Sequence, residues 1–274
     1  MGKSRENIKQ YGRRFSQLIA AVLYNCNFKG FLSGKIYKGE SKGLCVPGLN
    51  CYSCPGAVFA CPLGSLQGAL AKTAIKIPMY MLGTIILFGV LFGRLICGFL
   101  CPFGLIQELV YKIPGFKIKK SGITKTLSYI KYLILVIFVI AIPVIKMLPG
   151  FCKYICPAGS LEAAIPLVIM DEQLRSRLGW LFSWKMFLLL VCIILCVICY
   201  RAFCRFLCPL GALYSLFNPI AFFGINVDKE KCTGCNACIS ACKMDTKKVG
   251  DHECVHCGAC RAVCPEGAIS YKRH

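Results

Sequence analysis

The sequence predicts a mainly α-helical membrane protein with about four transmembrane helices in two parallel repeats, followed by a small α+β domain. Three observations predict it. Apolar runs punctuated by Lys and Arg recur along residues 1–224. A Cys-x3-Cys-Pro-x-Gly-x-Leu motif is written four times in the same region. Residues 225–274 then turn polar around two dense cysteine runs.

The repeat is read first, because missing it misplaces the whole fold. It is clearest at 204–214, CRFLCPLGALY, and recurs as CGFLCPFGLIQ at 97–107 and CKYICPAGSLE at 152–162. A looser copy, CYSCPGAVFACPLGSLQ, occupies 51–67. There Ala57 stands where the first Cys belongs, with Cys51 and Cys54 just upstream. Each copy sets two thiols at the mouth of a turn, with Pro at the first helical position, where a missing N–H costs nothing. One copy cannot enclose a metal cluster. Two facing copies supply four cysteinates, the set a cubane [4Fe-4S] cluster takes.

Composition agrees with a membrane setting. Of 274 residues, 57% are hydrophobic and 16% charged, and the mean hydropathy is +0.62. The formal charge of +21 counts every cysteine as a neutral thiol. Four clusters would lower it to about +13. Because Lys and Arg punctuate apolar runs, that charge suits an anionic lipid surface and membrane topology rather than nucleic acid. The 22 cysteines do not form a disulfide scaffold, which belongs to small secreted chains without long apolar runs.

A basic tail, 1–14, precedes the first apolar run, 15–28, which lacks the cleavage pattern of a removable signal peptide. The others are 77–93 (between Lys76 and Arg94), 132–145 (between Lys131 and Lys146) and 186–200 (between Lys185 and Arg201). They hold 14, 17, 14 and 15 residues. All fall short of the roughly 20 that cross a bilayer, so re-entrant motif segments are expected to complete each span. The repeat halves are about 15–126 and 127–224, and 225–274 is a separate domain. Arg94, Lys112, Lys117, Lys119, Lys120 and Lys125 make 94–125 cytoplasmic, like the N-terminus. The copies at 51–67 and 152–162 then lie outside, and those at 97–107 and 204–214 inside. Lys29, Lys35, Lys38, Lys42, Lys72 and Lys76 flank the first outer copy and weaken that bias.

The C-terminal runs are the most specific feature. CTGCNACISAC and CVHCGACRAVCP both show the x2-x2-x3 spacing of two-cluster ferredoxins, in which the fourth Cys of each run ligates the other cluster. That assigns Cys232, Cys235, Cys238 and Cys264 to one cluster and Cys254, Cys257, Cys260 and Cys242 to the second. Lys243 stands where Pro often follows the first run. Structural zinc also uses Cys-x-x-Cys pairs, but rarely two such four-Cys runs. Cys97, Cys101, Cys204 and Cys208 form the inner membrane set. The outer set takes Cys61, Cys152 and Cys156, with Cys54 or Cys51 as its fourth member. Its rivals are a local site from Cys45, Cys51, Cys54 and Cys61, or a disulfide among the spare thiols.

The inner copies, the stretch CVPGLNCYSCPGAVFACPLGSLQ at 45–67 and the ferredoxin tail together resemble the NapH-type membrane polyferredoxins, a family of 4Fe-4S binding integral membrane proteins. The resemblance spans nearly the whole chain and departs at Ala57. It implies a multi-cluster electron carrier of the cytoplasmic membrane, of a kind linked to quinol oxidation or metalloenzyme maturation.

Other signals are turned down. Cys192, Cys196 and Cys199 show radical-SAM spacing, but they form one helical stripe inside an apolar run, where packing is expected. Cys26 is read the same way. The only histidines, His252, His256 and His274, lie beyond the spans, which excludes a membrane haem; the first two are expected to be solvated neighbours of a cluster. The apolar cores hold no Asp or Glu for a proton path. SGIT at 121–124 is too short to claim a covalent flavin. Glu108 and Glu162 end two copies and are candidates to take protons from a quinol; as plain helix-end charges they would be exposed.

The reading that follows is an electron-transfer subunit, not a stand-alone enzyme, with four [4Fe-4S] clusters. Its expected partners are lipid, a redox protein (ferredoxin, flavoprotein or reductase) and a quinone or quinol, with no nucleic acid. At 1.5 Å per residue the short spans cover about 21 to 26 Å between membrane clusters. The alternative is a maturation or sensing protein that reduces a metal ion or thiol through Cys45, Cys51 and Cys54. Replacing Cys45 and Cys51 separates them, since only a reductase depends on those thiols.

Overall fold

The computed structural model describes residues 2–72, 79–118, 122–244 and 246–273, without the side chains of 2–10, 122, 123, 272 and 273. Lys76 and Ile77 at the head of the second run, Lys119, Lys120, Ser121 and His274 lie outside the described residues.

The first apolar run is not a helix of its own. Helix α1 (Gly2–Tyr24) begins in the basic tail and stops inside the run. Arg13, Gln17, Ala20 and Tyr24 fall on one face and are all buried, whereas Phe15, Leu18, Ile19, Val22 and Leu23 are exposed. Asn25 ends the helix by turning its side-chain amide back onto Ala21 O at 3.0 Å, and a short helix, Phe28–Ser33, follows. The span expected at 15–28 is therefore corrected to the end of an amphipathic helix.

After the loop that carries Cys45, Cys51 and Cys54, the chain runs through α2 (Pro62–Leu70), α3 (Met79–Phe92), α4 (Leu95–Phe99), α5 (Pro102–Val110), α6 (Thr124–Lys146), α7 (Gly150–Tyr154), α8 (Pro157–Met170), α9 (Trp180–Ile198), α10 (Ala202–Phe206) and α11 (Pro209–Phe217). The C-terminal segment adds β1 (Phe223–Val227), α12 (Ala237–Ala241), α13 (Ala259–Val263) and β2 (Ile269–Arg273). Pro62, Pro102, Pro157 and Pro209 open the motif helices, and the Cys before each is extended, as a residue before proline prefers. In the second, third and fourth copies the first Cys sits on a one-turn helix, α4, α7 or α10.

Helices α6 (23 residues) and α9 (19 residues) are long and apolar enough to cross a membrane, with mean hydropathies of 2.4 and 2.7 in their most apolar stretches. They measure about 35 and 29 Å at 1.5 Å per residue. Both outgrow the charge-free runs 132–145 and 186–200 because each takes its flanking lysine inside the helix. Lys131 is fully buried and Lys185 half-buried. Helices α3 and α8 are apolar but shorter. The four expected spans thus resolve, among the described residues, into two full-length helices, the shorter α3 and the amphipathic α1.

One hydrophobic core unites the motif copies. It gathers Leu63, Ile96, Phe103, Phe151, Phe203 and Leu210, with Met244 and Val255 from the C-terminal segment. Phe103 and Phe203 meet edge to face at 5.1 Å, an arrangement worth about 0.5–1.5 kcal/mol beyond burial.

The C-terminal segment is closed by an antiparallel β1–β2 pair, with Phe223 opposite Arg273 and Val227 opposite Ile269. Asn218 fastens it to the helices: its amide donates to Asp251 O (2.6 Å) and Cys254 O (3.1 Å), and its Oδ1 accepts from Arg94 N (2.9 Å). His256 is buried, not solvated as expected. Its Nδ1 accepts from Ile225 N at 2.9 Å, which leaves Nε2–H to donate to Asn218 Oδ1 at 2.9 Å. Gly98 allows the closest approach, since a Cβ there would fall 2.3 Å from Val255 O. Gly98→Ala is therefore expected to unseat the segment at a cost of about 1–3 kcal/mol, measured as a lower Tm and faster proteolysis near residue 224.

Candidate iron–sulfur sites

Four cavities are each ringed by cysteines. The inner one is lined by Cys97, Cys101, Cys204 and Cys208, all buried. It forms because the second and fourth copies face each other. Gln107, the last residue of the second copy, spans them. Its Nε2 donates to Cys204 Sγ at 3.0 Å and its Oε1 accepts from Cys204 N at 3.3 Å. Gly211 N approaches Cys208 Sγ at 3.4 Å.

Two fully buried arginines cross between the same copies. Arg94 precedes the second copy and donates from Nη2 to Cys204 O at 3.2 Å. Arg201 precedes the fourth and donates from Nη1 to Cys97 O at 2.6 Å. Glu253 neutralises Arg94 together with Lys131, whose Nζ lies 2.5 Å from Oε1. Glu108 neutralises Arg201 (2.6 Å) and Arg13 (2.5 Å), and Tyr200 Oη donates to it at 2.6 Å. Burial opposes the charge of Glu108, but Arg201 and Arg13 outweigh it and hold the carboxyl down at about 2. Burial likewise opposes Glu253, which Arg94 and Lys131 keep below the usual carboxylate range. Glu108 is thus neither an exposed helix-end charge nor a free proton acceptor, because its oxygens are committed to two guanidiniums.

The outer cavity repeats this plan with the first and third copies. Cys51, Cys61, Cys152 and Cys156 line it. Gln67, at the position of Gln107, donates from Nε2 to Cys152 Sγ at 3.3 Å and accepts from Phe151 N at 2.9 Å. Of the two candidates for the fourth place, the cavity takes Cys51. Cys54 is turned away by a tight turn, its N–H on Cys51 O at 3.1 Å, and is buried elsewhere. Cys45 packs on Met81, Sγ to Sδ 3.2 Å, and neither Cys45 nor Cys54 lines that cavity. None of these thiols is bridged by a disulfide. Glu162 accepts from Cys51 N at 2.7 Å.

In the C-terminal segment Cys242, Cys254, Cys257 and Cys260 ring one small cavity, and Cys232, Cys235, Cys238 and Cys264 another. The outer cavity is the roomiest of the four, about 660 Å³. Among the described residues no three Cys, His, Asp or Glu side chains gather as a single-ion site; the thiols surround cavities instead. Four thiols per cavity, with N–H donors aimed at sulfur, fit a cubane cluster.

Neighbouring cavities share walls. Leu49 lines both outer and inner cavities. Val255, pressed on Gly98 beside Cys97, lines the next. Cys238 lines both C-terminal ones. The inner and outer cavities thus meet at Leu49.

Sequence reasoning missed Gln67, Gln107, Arg94 and Arg201, although the glutamines occupy one motif position in two copies. Cys192 and Cys196 are buried in the core as expected of packing residues, and Cys196 Sγ also points to Gln107 Oε1 at 3.6 Å.

Paired Cys-Pro turns around thiol cavities, with a double x2-x2-x3 cysteine domain docked against them, define a ferredoxin-type iron–sulfur protein. A 4Fe-4S binding domain family model matches residues 58–80, 77–121, 131–165 and 180–226, and a second 4Fe-4S binding domain model matches 225–247 and 249–270. The chain belongs to this 4Fe-4S binding family and is similar to ferredoxin-type proteins such as NapH. An uncharacterized protein of Methanocaldococcus jannaschii is 32% identical over 189 residues, 65% of this chain and 64% of its own. Another from that organism is 29% identical over 75% of this chain and 81% of its own. The ferredoxin-type protein NapH of Haemophilus influenzae is 24% identical over 68% and 65%. The chain therefore spans just under two thirds of the length of two of these relatives. No solved structure matches.

Two outcomes follow from the geometry. Gln107→Leu removes one N–H from Cys204 sulfur, so the inner reduction potential is expected to fall by about 60 mV or less in an EPR titration. Glu108→Gln strands two buried guanidiniums and is expected to cost about 3 kcal/mol at neutral pH, read as a lower Tm. Because the folded carboxyl lies below its ordinary 4.5, this stability is complete above pH 4.5 and lost as pH falls toward about 2. The Tm gap between wild type and variant should close over that window.

Proposed function

We propose that the protein is a multi-pass iron–sulfur electron carrier of the cytoplasmic membrane. It passes single electrons between a cytoplasmic donor or the quinone pool and a partner redox protein. Cys97, Cys101, Cys204 and Cys208 hold the inner membrane cluster, and Cys51, Cys61, Cys152 and Cys156 the outer. Cys232, Cys235, Cys238 and Cys264 hold one ferredoxin cluster, and Cys254, Cys257, Cys260 and Cys242 the other. When bound, these clusters supply one-electron redox chemistry; the protein supplies placement, potential and insulation. The reading places the ferredoxin segment on the cytoplasmic side.

The observation that carries this reading is the adjacency of the cavities along the row: Leu49 lines outer and inner, Val255 of the next packs on Gly98 beside Cys97, and Cys238 lines both C-terminal ones. Tunnelling needs closely spaced sites, and a full hydrocarbon core of about 30 Å would stall it. The extra volume at the outer cavity suits a quinone or a partner's cofactor beside Cys51, whose N–H is held by Glu162. The reductase alternative is less favoured, because only Cys51 of its three thiols faces that cavity.

Anaerobic iron and sulfide analysis tests the reading. Near sixteen iron atoms per chain are expected, falling to about twelve in Cys51→Ser and unchanged in Cys54→Ser. Near eight in the wild type would leave only the ferredoxin clusters. Cys45→Ala should keep full electron flux; a loss would favour the reductase.

A further inference from the structure

We propose that four cations, one for each motif copy, are the counter-charges that set the reduction potentials of the two membrane clusters. The inference rests on the cluster assignment above. At the inner cavity Arg201 caps Cys97 O and Arg94 caps Cys204 O, each the carbonyl of the first motif position. The outer copies meet the same position with other residues from unrelated elements. Lys185 Nζ, on α9, donates to Cys152 O at 3.4 Å. Lys42 Nζ, from the turn Glu40–Gly43, donates to Ala57 O at 2.7 Å.

Ala57 is the informative case. It stands at the first motif position but has no sulfur, yet its carbonyl is still capped by a buried lysine. Cys51 supplies the missing thiol, and the charge of Lys42 reaches Cys54 and Cys51. The cap therefore goes with the copy and not with the cysteine.

The motif glycine points the same way. A Cβ on Gly104 would lie 3.4 Å from Arg201 Nη2, one on Gly211 3.6 Å from Arg94 Nη2, and one on Gly159 3.7 Å from Lys185 Nζ. In three copies the Gly of Pro-x-Gly thus lies directly beside the cation. A cluster held by these thiols would gain one negative charge on one-electron reduction, which a fixed cation beside it favours, most strongly where water is excluded. Removing a cation should therefore lower the potential. Glu162 opposes the two lysines from Cys51 N–H, whereas the inner arginines keep their charge at any pH the protein meets.

The test is an EPR-monitored redox titration of the full-length, cluster-loaded protein in lipid nanodiscs, with iron content measured in parallel. The outer spectrum is identified as the one missing from Cys51→Ser. Lys185→Met is expected to lower the outer reduced-to-oxidised ratio at fixed potential by tenfold or more, a shift of 59 mV for one electron, with the inner spectrum unmoved. Lys185→Arg should restore it, and Lys42→Met should move the same spectrum in the same direction. If a Met variant sheds about four iron atoms, recovery of that iron in its Arg counterpart supports the counter-charge role, and no recovery overturns it. Near sixteen iron atoms with unshifted outer potentials in both Met variants would also overturn it, while leaving the proposed electron carrier intact. Near eight in the wild type removes the carrier reading and this inference with it.

Discussion

Two glutamine side chains hold the arrangement together. Gln67 and Gln107 sit at the same motif position, and each reaches across to the first cysteine of a copy 85 or 97 residues away. Each satisfies a backbone N–H with its oxygen and aims its amide at sulfur, so the partner copy is fixed in register as well as in place. Distant Cys-Pro turns thereby become a matched pair, first with third and second with fourth. The cavities, the shared wall at Leu49 and the docking face for the ferredoxin segment all follow from that pairing.

The buried charge becomes intelligible in the same frame. A chain of formal charge +21 is expected to keep its Arg and Lys at lipid and water boundaries. Here Arg13, Arg94, Arg201 and Lys131 are inside, and Glu108 and Glu253 bind them in two networks. Buried ion pairs are weak evidence for stability, because desolvation offsets the attraction. These pairs have another use. They hold Arg94 and Arg201 in place on the carbonyls of Cys204 and Cys97, where the counter-charge role proposed above needs them.

The cysteine frame was legible in the sequence, because spacing alone shows which thiols share a turn. That is why the residues of the inner and ferredoxin sets meet in single cavities. Cys51 and Cys54 could not be ranked from spacing, since the choice depends on a turn that directs one sulfur inward. Helix ends were misjudged for a related reason. A charge marks the limit of an apolar run in the sequence, yet Lys131 is buried on Glu253 and α6 continues through it. The first run misled in the opposite sense: Asn25 breaks it, and the polar residues before it lie on the buried face. Glu108 looked like a helix-end charge because its partners, Arg13 and Arg201, are 95 and 93 residues away.

The central claim is that sequence-distant thiols form one row of neighbouring clusters instead of isolated sites. Magnetic interaction tests it most directly. In fully reduced protein, pulsed EPR should show dipolar coupling between the outer and inner clusters, lost from the outer spectrum when Cys97 and Cys204 are replaced. An outer spectrum that is identical with and without its inner neighbour would mean that the two do not adjoin, and the account would fail.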